Sequence, residues 1–216
     1  MNKAHQRGLF ITFEGGEGVG KSTILTKLND YLTQEGFQVI QTREPGGCEL
    51  GINIRKLLLE MESLSNKAEL LLFLANRAQH VEEVIAPALK KNQIVLCDRF
   101  TDSTIAYQGV ARHLDMNEVE KLCEFSTDGL KPDVTFLLDL SPEEGFDRVH
   151  KSRDGKDRIE RESLQFHEEV RKGFLKRADK EPERIHIIDA SQDIDTVFSS
   201  LLTIVLQKIE NVHATS

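Results

Sequence analysis

The stretch "FEGGEGVGKST", Phe13 to Thr23, decides how this chain is read. Within it, Gly15–Ser22 fits the pattern G-x-x-x-x-G-K-[ST]. Glycines allow the backbone angles that turn successive N–H groups inward. Together with the N-terminus of a following helix, those donors form a cradle for phosphate. Gly15, Gly16, Glu17, Gly18, Val19, Gly20, Lys21, Ser22 and Thr23 are therefore the expected nucleoside triphosphate-binding loop. Lys21 is placed to reach the β- and γ-phosphates, and the Ser22 hydroxyl to ligate Mg²⁺. Context gives the motif its weight. "GLFITFEG" (Gly8–Gly15), which leads into it, is a short apolar run ending in glycine, the mark of a buried strand. "KSTILTKLNDYLTQEG" (Lys21–Gly36), which follows, carries Ile24, Leu25, Leu28, Tyr31 and Leu32 at helical spacing, with Gly36 as a stop. Glu17 is the odd member, an anion inside a loop that must hold a polyphosphate.

Outward from the loop, "FQVIQT" (Phe37–Thr42), "QIVLCD" (Gln93–Asp98), "DVTFLLDL" (Asp133–Leu140) and "RIHIID" (Arg184–Asp189) read as further strands. Helical patterns lie between them: Leu50–Lys91, where Pro87 is expected to kink the second segment, then Thr101–Gly109, Asn117–Asp128, a helix opened by Ser141 and Pro142, one through about Lys180, and one from about Ile194. The strands are near-continuous apolar runs, which predicts a parallel sheet covered on both faces. The expected fold is α/β, a three-layer P-loop NTPase architecture with about five parallel strands and helices on both faces, in one domain over residues 1–216. "RDGKDRIERES" (Arg153–Ser163) is charged and broken by glycine, so a small mobile lid is expected over about residues 150–163. Ligands in such folds bind beyond the C-terminal strand ends. The loop after the first strand, "REPGG" after the second and "DRF" after the third all fall there. Asp98 and Asp139 each end a strand, and either could be the aspartate that helps hold a metal.

Composition narrows the class. The 216 residues are 39% hydrophobic and 30% charged, with 28 basic against 36 acidic side chains, a formal charge of −8. That argues against non-specific binding to nucleic acid or a membrane surface, yet it allows basic residues concentrated in one cleft. Three cysteines (Cys48, Cys97, Cys123), odd in number and without a CxxC pair, predict a reduced, cytoplasmic protein. No apolar run approaches the ~20 residues of a membrane helix, the N-terminus lacks a secretory pattern, and the seven histidines show no metal spacing. A phosphate loop alone leaves a switch GTPase, a motor or transporter ATPase, and a small-molecule kinase. The nearest match to N-K-x-D is "NKAE" at Asn66–Glu69, inside a helical pattern, and the chain has no room for a transporter's signature insert. A short chain with a basic late segment favours a kinase that closes over its substrates.

"FEGGEGVGKST", "TREPGG", "LLLFLANRAQH", "LCDRF", "STIAYQG" and "DRIERES" occur in the order and spacing of thymidylate kinases. The chain resembles that family from Leu9 to about Asp189, most closely its bacterial type, with arginines in the lid rather than in the phosphate loop. The resemblance implies transfer of the ATP γ-phosphate to dTMP, giving dTDP and ADP on the way to dTTP. It also implies Mg²⁺ as cofactor and a homodimer packed through the middle helices. The catalytic set it implies is Lys21, Asp98, Arg99, Arg153 and Arg158, with Asp98 and Ser22 toward Mg²⁺ and Arg99 on the acceptor phosphate. Two anionic nucleotides brought together need cations at their meeting point. Because Gly16, Glu17, Gly18 and Val19 include no arginine, the lid is the nearest source of one. Arg153 and Arg158 stay unranked, with Arg148 and Lys151 as weaker candidates.

For the acceptor, the resemblance implies that Phe73 stacks on the pyrimidine. Arg77, on the same helix face at i+4, donates to a ring carbonyl. Asn76 lies in the same neighbourhood. Thr104 and Gln108 face the thymine edge, Tyr107 lies near the sugar, where it disfavours a 2′-hydroxyl, and Glu44 and Arg55 lie near the acceptor phosphate and the reaction centre. Glu44 precedes Pro45, a bond for which the cis isomer is accessible. Glu17 is implied to point across the cleft to the 3′-hydroxyl of the acceptor sugar. The rival readings are another P-loop kinase, for a deoxynucleoside or a different monophosphate, and a regulatory ATP-binding protein without an acceptor.

Overall fold

The computed structural model describes residues 8–152 and 157–214. Strands β1 (Phe10–Glu14), β2 (Val39–Arg43), β3 (Ile94–Asp98), β4 (Val134–Asp139) and β5 (Ile185–Asp189) form one parallel sheet in the order β2-β3-β1-β4-β5. Every residue of β1 is buried. As the apolar runs predict, its side chains feed two cores. Ile11 and Phe13 pack with Ile24, Leu25 and Leu28 of α1 (Lys21–Gln34) and with Leu201 and Val205 of α9 (Ile194–Ala214). On the opposite face Phe10 packs with Val95, Cys97 and Phe100, and Leu137 of β4 with Tyr107 and with Phe166 and Phe174 of α8 (Leu164–Lys180). Each such fully buried side chain contributes roughly 1.5–3 kcal/mol. Thr12 and Thr135 share a 2.7 Å hydroxyl bond inside the sheet, so their polar atoms are not stranded there.

Strand register positions the site. Phe13 of β1 and Arg43 of β2 both stand opposite Asp98 of β3, so three strands end at one level and release their loops into one space. The remaining helices are α2 (Glu49–Glu60), α3 (Asn66–His80), α4 (Ala86–Lys90), α5 (Thr101–Thr104), α6 (Met116–Thr127) and α7 (Pro142–Ser152). Ser141 caps α7 as its sequence suggests: its hydroxyl accepts from Glu144 N at 3.3 Å and donates to Glu144 Oε2 at 2.9 Å.

Two segments depart from simple helices. Between α3 and α4 the chain runs as a π-helix over Val81–Ile85, just ahead of Pro87. Proline lacks the N–H and crowds the carbonyl four residues back, and a wider turn absorbs both defects. The segment after "DRF" is α5 followed by a π-helix over Ile105–Ala111, not one α-helix. It carries Tyr107 and Gln108, which line the main cleft.

Candidate active site

The three strand ends, α2, α3, the second π-helix and α7 surround a cleft of about 460 Å³. Its floor is the phosphate loop. Gly18 has φ +68°, and a Cβ there would sit 2.1 Å from Gly145 O, so only glycine fits. Lys21 is buried, and its Nζ donates to the carbonyls of Gly15 at 3.1 Å and Gly16 at 2.7 Å. Burial, then the nearby Arg99 charge, lowers its pKa. This cation has carbonyl partners, and an incoming phosphate would supply the missing counter-charge. Within the loop Gly15 and Gly16 do not border the main cleft; Glu17 through Thr23 do.

Arg99, at the end of β3, adopts a left-handed φ of 70°, a conformation costing about 1–2 kcal/mol that surrounding structure must hold. Its guanidinium donates to Gly15 O at 3.0 Å, Ser103 Oγ at 3.2 Å and Glu17 Oε1 at 2.7 Å, and it lies over the Tyr107 ring. The Glu17 carboxylate is thus drawn across the cleft to Arg99, which places the loop's anion toward the "DRF" side. Burial would lower the Arg99 pKa, but Tyr107, Glu17 and Asp98 outweigh it and raise it, so the group stays charged. Arg55 donates to Pro45 O at 3.1 Å, and burial, then repulsion from Arg43, lowers its pKa. Lys21, Arg43, Arg55 and Arg99 therefore gather positive charge in a chain whose net charge is −8.

The structure separates the two strand-end aspartates. Asp139 is neutralised by a two-pronged bond from Arg171, at 2.7 and 2.8 Å. Asp98 borders the cleft, and its Oδ1 is buried without a hydrogen-bond partner among the described residues. With Ser22 on the same cleft wall, it offers hard oxygen donors that suit Mg²⁺. No group of three or more His, Cys, Asp or Glu among the described residues could hold a metal by itself.

The wall facing the loop starts from the cis Glu44–Pro45 bond. Glu44 binds Arg77 Nε through Oε2 at 2.7 Å and His80 Nδ1 through Oε1 at 2.9 Å; the other His80 nitrogen meets Thr42 Oγ1 at 2.7 Å. Arg77 also donates to Thr104 Oγ1 at 2.8 Å and to Phe100 O at 2.9 Å. Although 1% exposed, it borders the cleft, and its second terminal nitrogen keeps an N–H beyond the Phe100 bond. Phe73, half-buried, borders the same space, as do Thr104, Tyr107 and Gln108. Asn76 does not. It is fully buried and accepts from Gly46 N at 2.7 Å, so it props the "REPGG" loop from behind.

The lid arginines sort unevenly. Arg153 lies outside the described residues. Arg158 does not border the cleft: its Nε donates to Leu58 O at 2.9 Å and its NH2 to Glu69 Oε2 at 2.6 Å, which ties the segment to α2 and α3. Arg148, on α7, does border the cleft and donates to Ala190 O at 3.0 Å.

The sequence reading passed over Glu69 and His80. Glu69, Phe73, Asn76, Arg77 and His80 occupy one face of α3 by their spacing, and four are polar or charged yet buried. A polar stripe inside an apolar run was the available signal.

Glu14 also matters more than its place at a strand end suggested. Its Oε1 accepts from Phe100 N at 2.8 Å and Ser103 N at 3.2 Å, and Ser103 Oγ lies 2.5 Å from Oε2, so it clamps the "DRF" turn. Desolvation, then repulsion from Asp102, pushes its pKa from the ordinary 4.5 up to about 7, against the bonds from Ser103 and Phe100 and the Arg99 charge. The folded protein thus holds this proton more tightly than the unfolded chain, and its contribution to stability falls as pH rises from 4.5 to about 7. Glu14→Gln copies the protonated form. Its stability relative to wild type should rise by about 3 kcal/mol across that window, at ~1.4 kcal/mol per pH unit. Chemical denaturation of both proteins at several pH values measures this; a pH-independent difference would contradict it.

Comparisons with known proteins converge on one family. A model of the thymidylate kinase family matches residues 13–201. The thymidylate kinase of Protochlamydia amoebophila is 52% identical over 205 residues, 91% of each chain. That of Desulfovibrio desulfuricans is 51% identical over 197 residues, 88% of this chain and 91% of its own. A crystal structure of the thymidylate kinase from Ehrlichia chaffeensis matches with a TM-score of 0.75 at 35% identity, covering 92% of this chain and 98% of that one.

Proposed function

The chain belongs to the thymidylate kinase family, and on that premise we propose how its cleft works. The protein is an enzyme that transfers the γ-phosphoryl group of ATP to dTMP, giving dTDP and ADP in the synthesis of dTTP. The observation that carries the reading is the meeting of two unlike walls in one cleft. A phosphate loop with a buried lysine faces an aromatic and amide wall of Phe73, Arg77 and Gln108. A kinase for another acceptor, or an ATP sensor, would need the loop but not that wall.

In our assignment the loop's N–H groups and Lys21 hold the donor phosphates, and Arg99 and Arg55 hold the phosphate of dTMP. Phosphoryl transfer runs on positioning and charge stabilisation, so these cations do the chemical work by neutralising oxygens as the reacting phosphates approach in line. Glu17, held by Arg99 on the acceptor side, accepts from the sugar 3′-hydroxyl. Phe73 stacks on thymine, Arg77 donates its remaining N–H to a ring carbonyl, and Tyr107 lies beside the sugar. Ser22 and the orphaned oxygen of Asp98 would hold Mg²⁺, which when bound neutralises phosphate charge at the reaction centre. Residues 150–163 serve as the lid. Within it Arg158 anchors the return limb through Glu69, and Arg153, together with Arg148 on the cleft wall, is assigned to the transferring group.

Three buried free thiols, Cys48, Cys97 and Cys123, suit a reducing compartment, so we place the enzyme in the cytoplasm, with ATP and dTMP as partners and neither nucleic acid nor membrane. No helix among the described residues is long and apolar enough to cross a membrane. A homodimer through the middle helices is supported by Leu71 and Phe125, 58% and 81% exposed on α3 and α6. A coupled assay with ATP and a panel of dTMP, dUMP, dCMP, AMP and GMP tests the function. The proposal expects dTMP to be the preferred acceptor, and preference for another monophosphate would sink it.

A further inference from the structure

Glu69 is 1% exposed in the first turn of α3, four residues before Phe73 and eight before Arg77. Its Oε1 accepts from Gln108 Nε2 at 2.8 Å and Arg112 Nε at 3.2 Å; its Oε2 accepts from Arg112 NH2 at 3.1 Å and Arg158 NH2 at 2.6 Å. Burial works against its ionised form, yet the bonds from Arg112, Gln108 and Arg158 outweigh burial and lower its pKa. A carboxylate in that state only accepts hydrogen bonds. The amide of Gln108 therefore has one permitted orientation at this contact, with nitrogen to Glu69 and oxygen free to act as an acceptor toward the cleft that Gln108 borders. Beside it Arg77 can only donate.

We propose that Glu69 is a positioning residue that makes the enzyme select a keto pyrimidine over an amino pyrimidine, by locking the Gln108 amide with its oxygen toward the acceptor base. The inference rests on the thymidylate reading of the cleft. Thymine offers an N3–H donor next to a 4-keto acceptor, the complement of a Gln108 oxygen and an Arg77 N–H. Cytosine offers the reverse pair, a bare N3 next to a 4-amino group. A locked wall meets cytosine with acceptor against acceptor and donor against donor. An amide free to rotate by half a turn, with nearly identical shape, relieves half of that mismatch.

Glu69→Gln removes the lock, because its own amide can either give or accept, while keeping size and most contacts. The test measures kcat/KM for dTMP and for dCMP with wild type, Glu69→Gln and Glu69→Asp, alongside thermal stability. Glu69→Gln should narrow the dTMP-to-dCMP ratio by at least about 10-fold. Glu69→Asp, still an acceptor only, should keep the ratio near wild type even if both rates fall. A merely structural Glu69 would lower both kcat/KM values by one factor; an unchanged ratio in Glu69→Gln overturns the proposal while the thymidylate reading stands. A wild type that prefers dCMP overturns both. Should Glu69→Gln fail to fold, ¹⁵N NMR of the Gln108 side-chain amide in the wild-type dTMP complex decides. One N–H protected from solvent exchange supports the lock, and two freely exchanging N–H protons refute it.

Discussion

Replacing Lys21 with alanine lowers turnover on the order of 10³-fold or more while dTMP affinity stays within a few-fold. The lysine sits at the start of α1 with its ammonium on the carbonyls of Gly15 and Gly16, in the part of the cleft assigned to ATP. The groups assigned to dTMP come from other elements: Arg99 after β3, Arg55 on α2, Phe73 and Arg77 on α3, Gln108 on the π-helix. Removing Lys21 also removes a buried charge whose pKa burial has already lowered, so the fold itself should tolerate the change. Steady-state kinetics with calorimetric titration of dTMP separates the effects. Lost dTMP binding with normal ATP affinity would contradict the donor role.

Arg77→Leu has the second large effect, and it falls on stability as well as on the acceptor. Arg77 and Glu44 are a buried pair, with side chains 1% and 2% exposed. Taking away one partner leaves an uncompensated carboxylate and strands Thr104 and the Phe100 carbonyl, at a cost of about 3–5 kcal/mol. For a chain of this length that lowers the melting temperature by roughly 10 °C. The Glu44–His80–Thr42 chain behind it loses its anchor, so "REPGG" and the base wall loosen together. Thermal unfolding followed by dTMP titration reads both consequences. A melting temperature within about 2 °C of wild type would show that the pair carries little of the fold.

Local patterns in the sequence made much of this legible. The apolar runs marked all five strands to within a residue or two of their observed bounds: the inner strands β1, β3 and β4 are almost wholly buried and read as continuous runs, while the edge strands β2 and β5, partly exposed, were marked by the breaks after them. "GGEGVGKS" named the loop because its chemistry is local, resting on glycine angles, a helix start and one lysine. Arg77 and Phe73 were legible through the family resemblance and their shared helix face. The network that sets their geometry was not. Gln108 meets Glu69 across 39 positions and Arg158 meets it across 89, and pairings of that kind leave no periodic trace. Asn76 shows the converse: the family resemblance placed it in the substrate neighbourhood, but "REPGG" folds over it and takes its oxygen. The π-helices escaped notice because one extra residue per turn barely disturbs an apolar pattern.

With the assigned donor loop and acceptor wall in one cleft, phosphate passes directly between nucleotides. ³¹P NMR of the enzyme with Mg²⁺, ATP and dTMP tests it most directly. Direct transfer gives dTDP and ADP in equal amounts, with negligible inorganic phosphate when dTMP is left out. Inorganic phosphate released with ADP at the same rate with or without dTMP would contradict it.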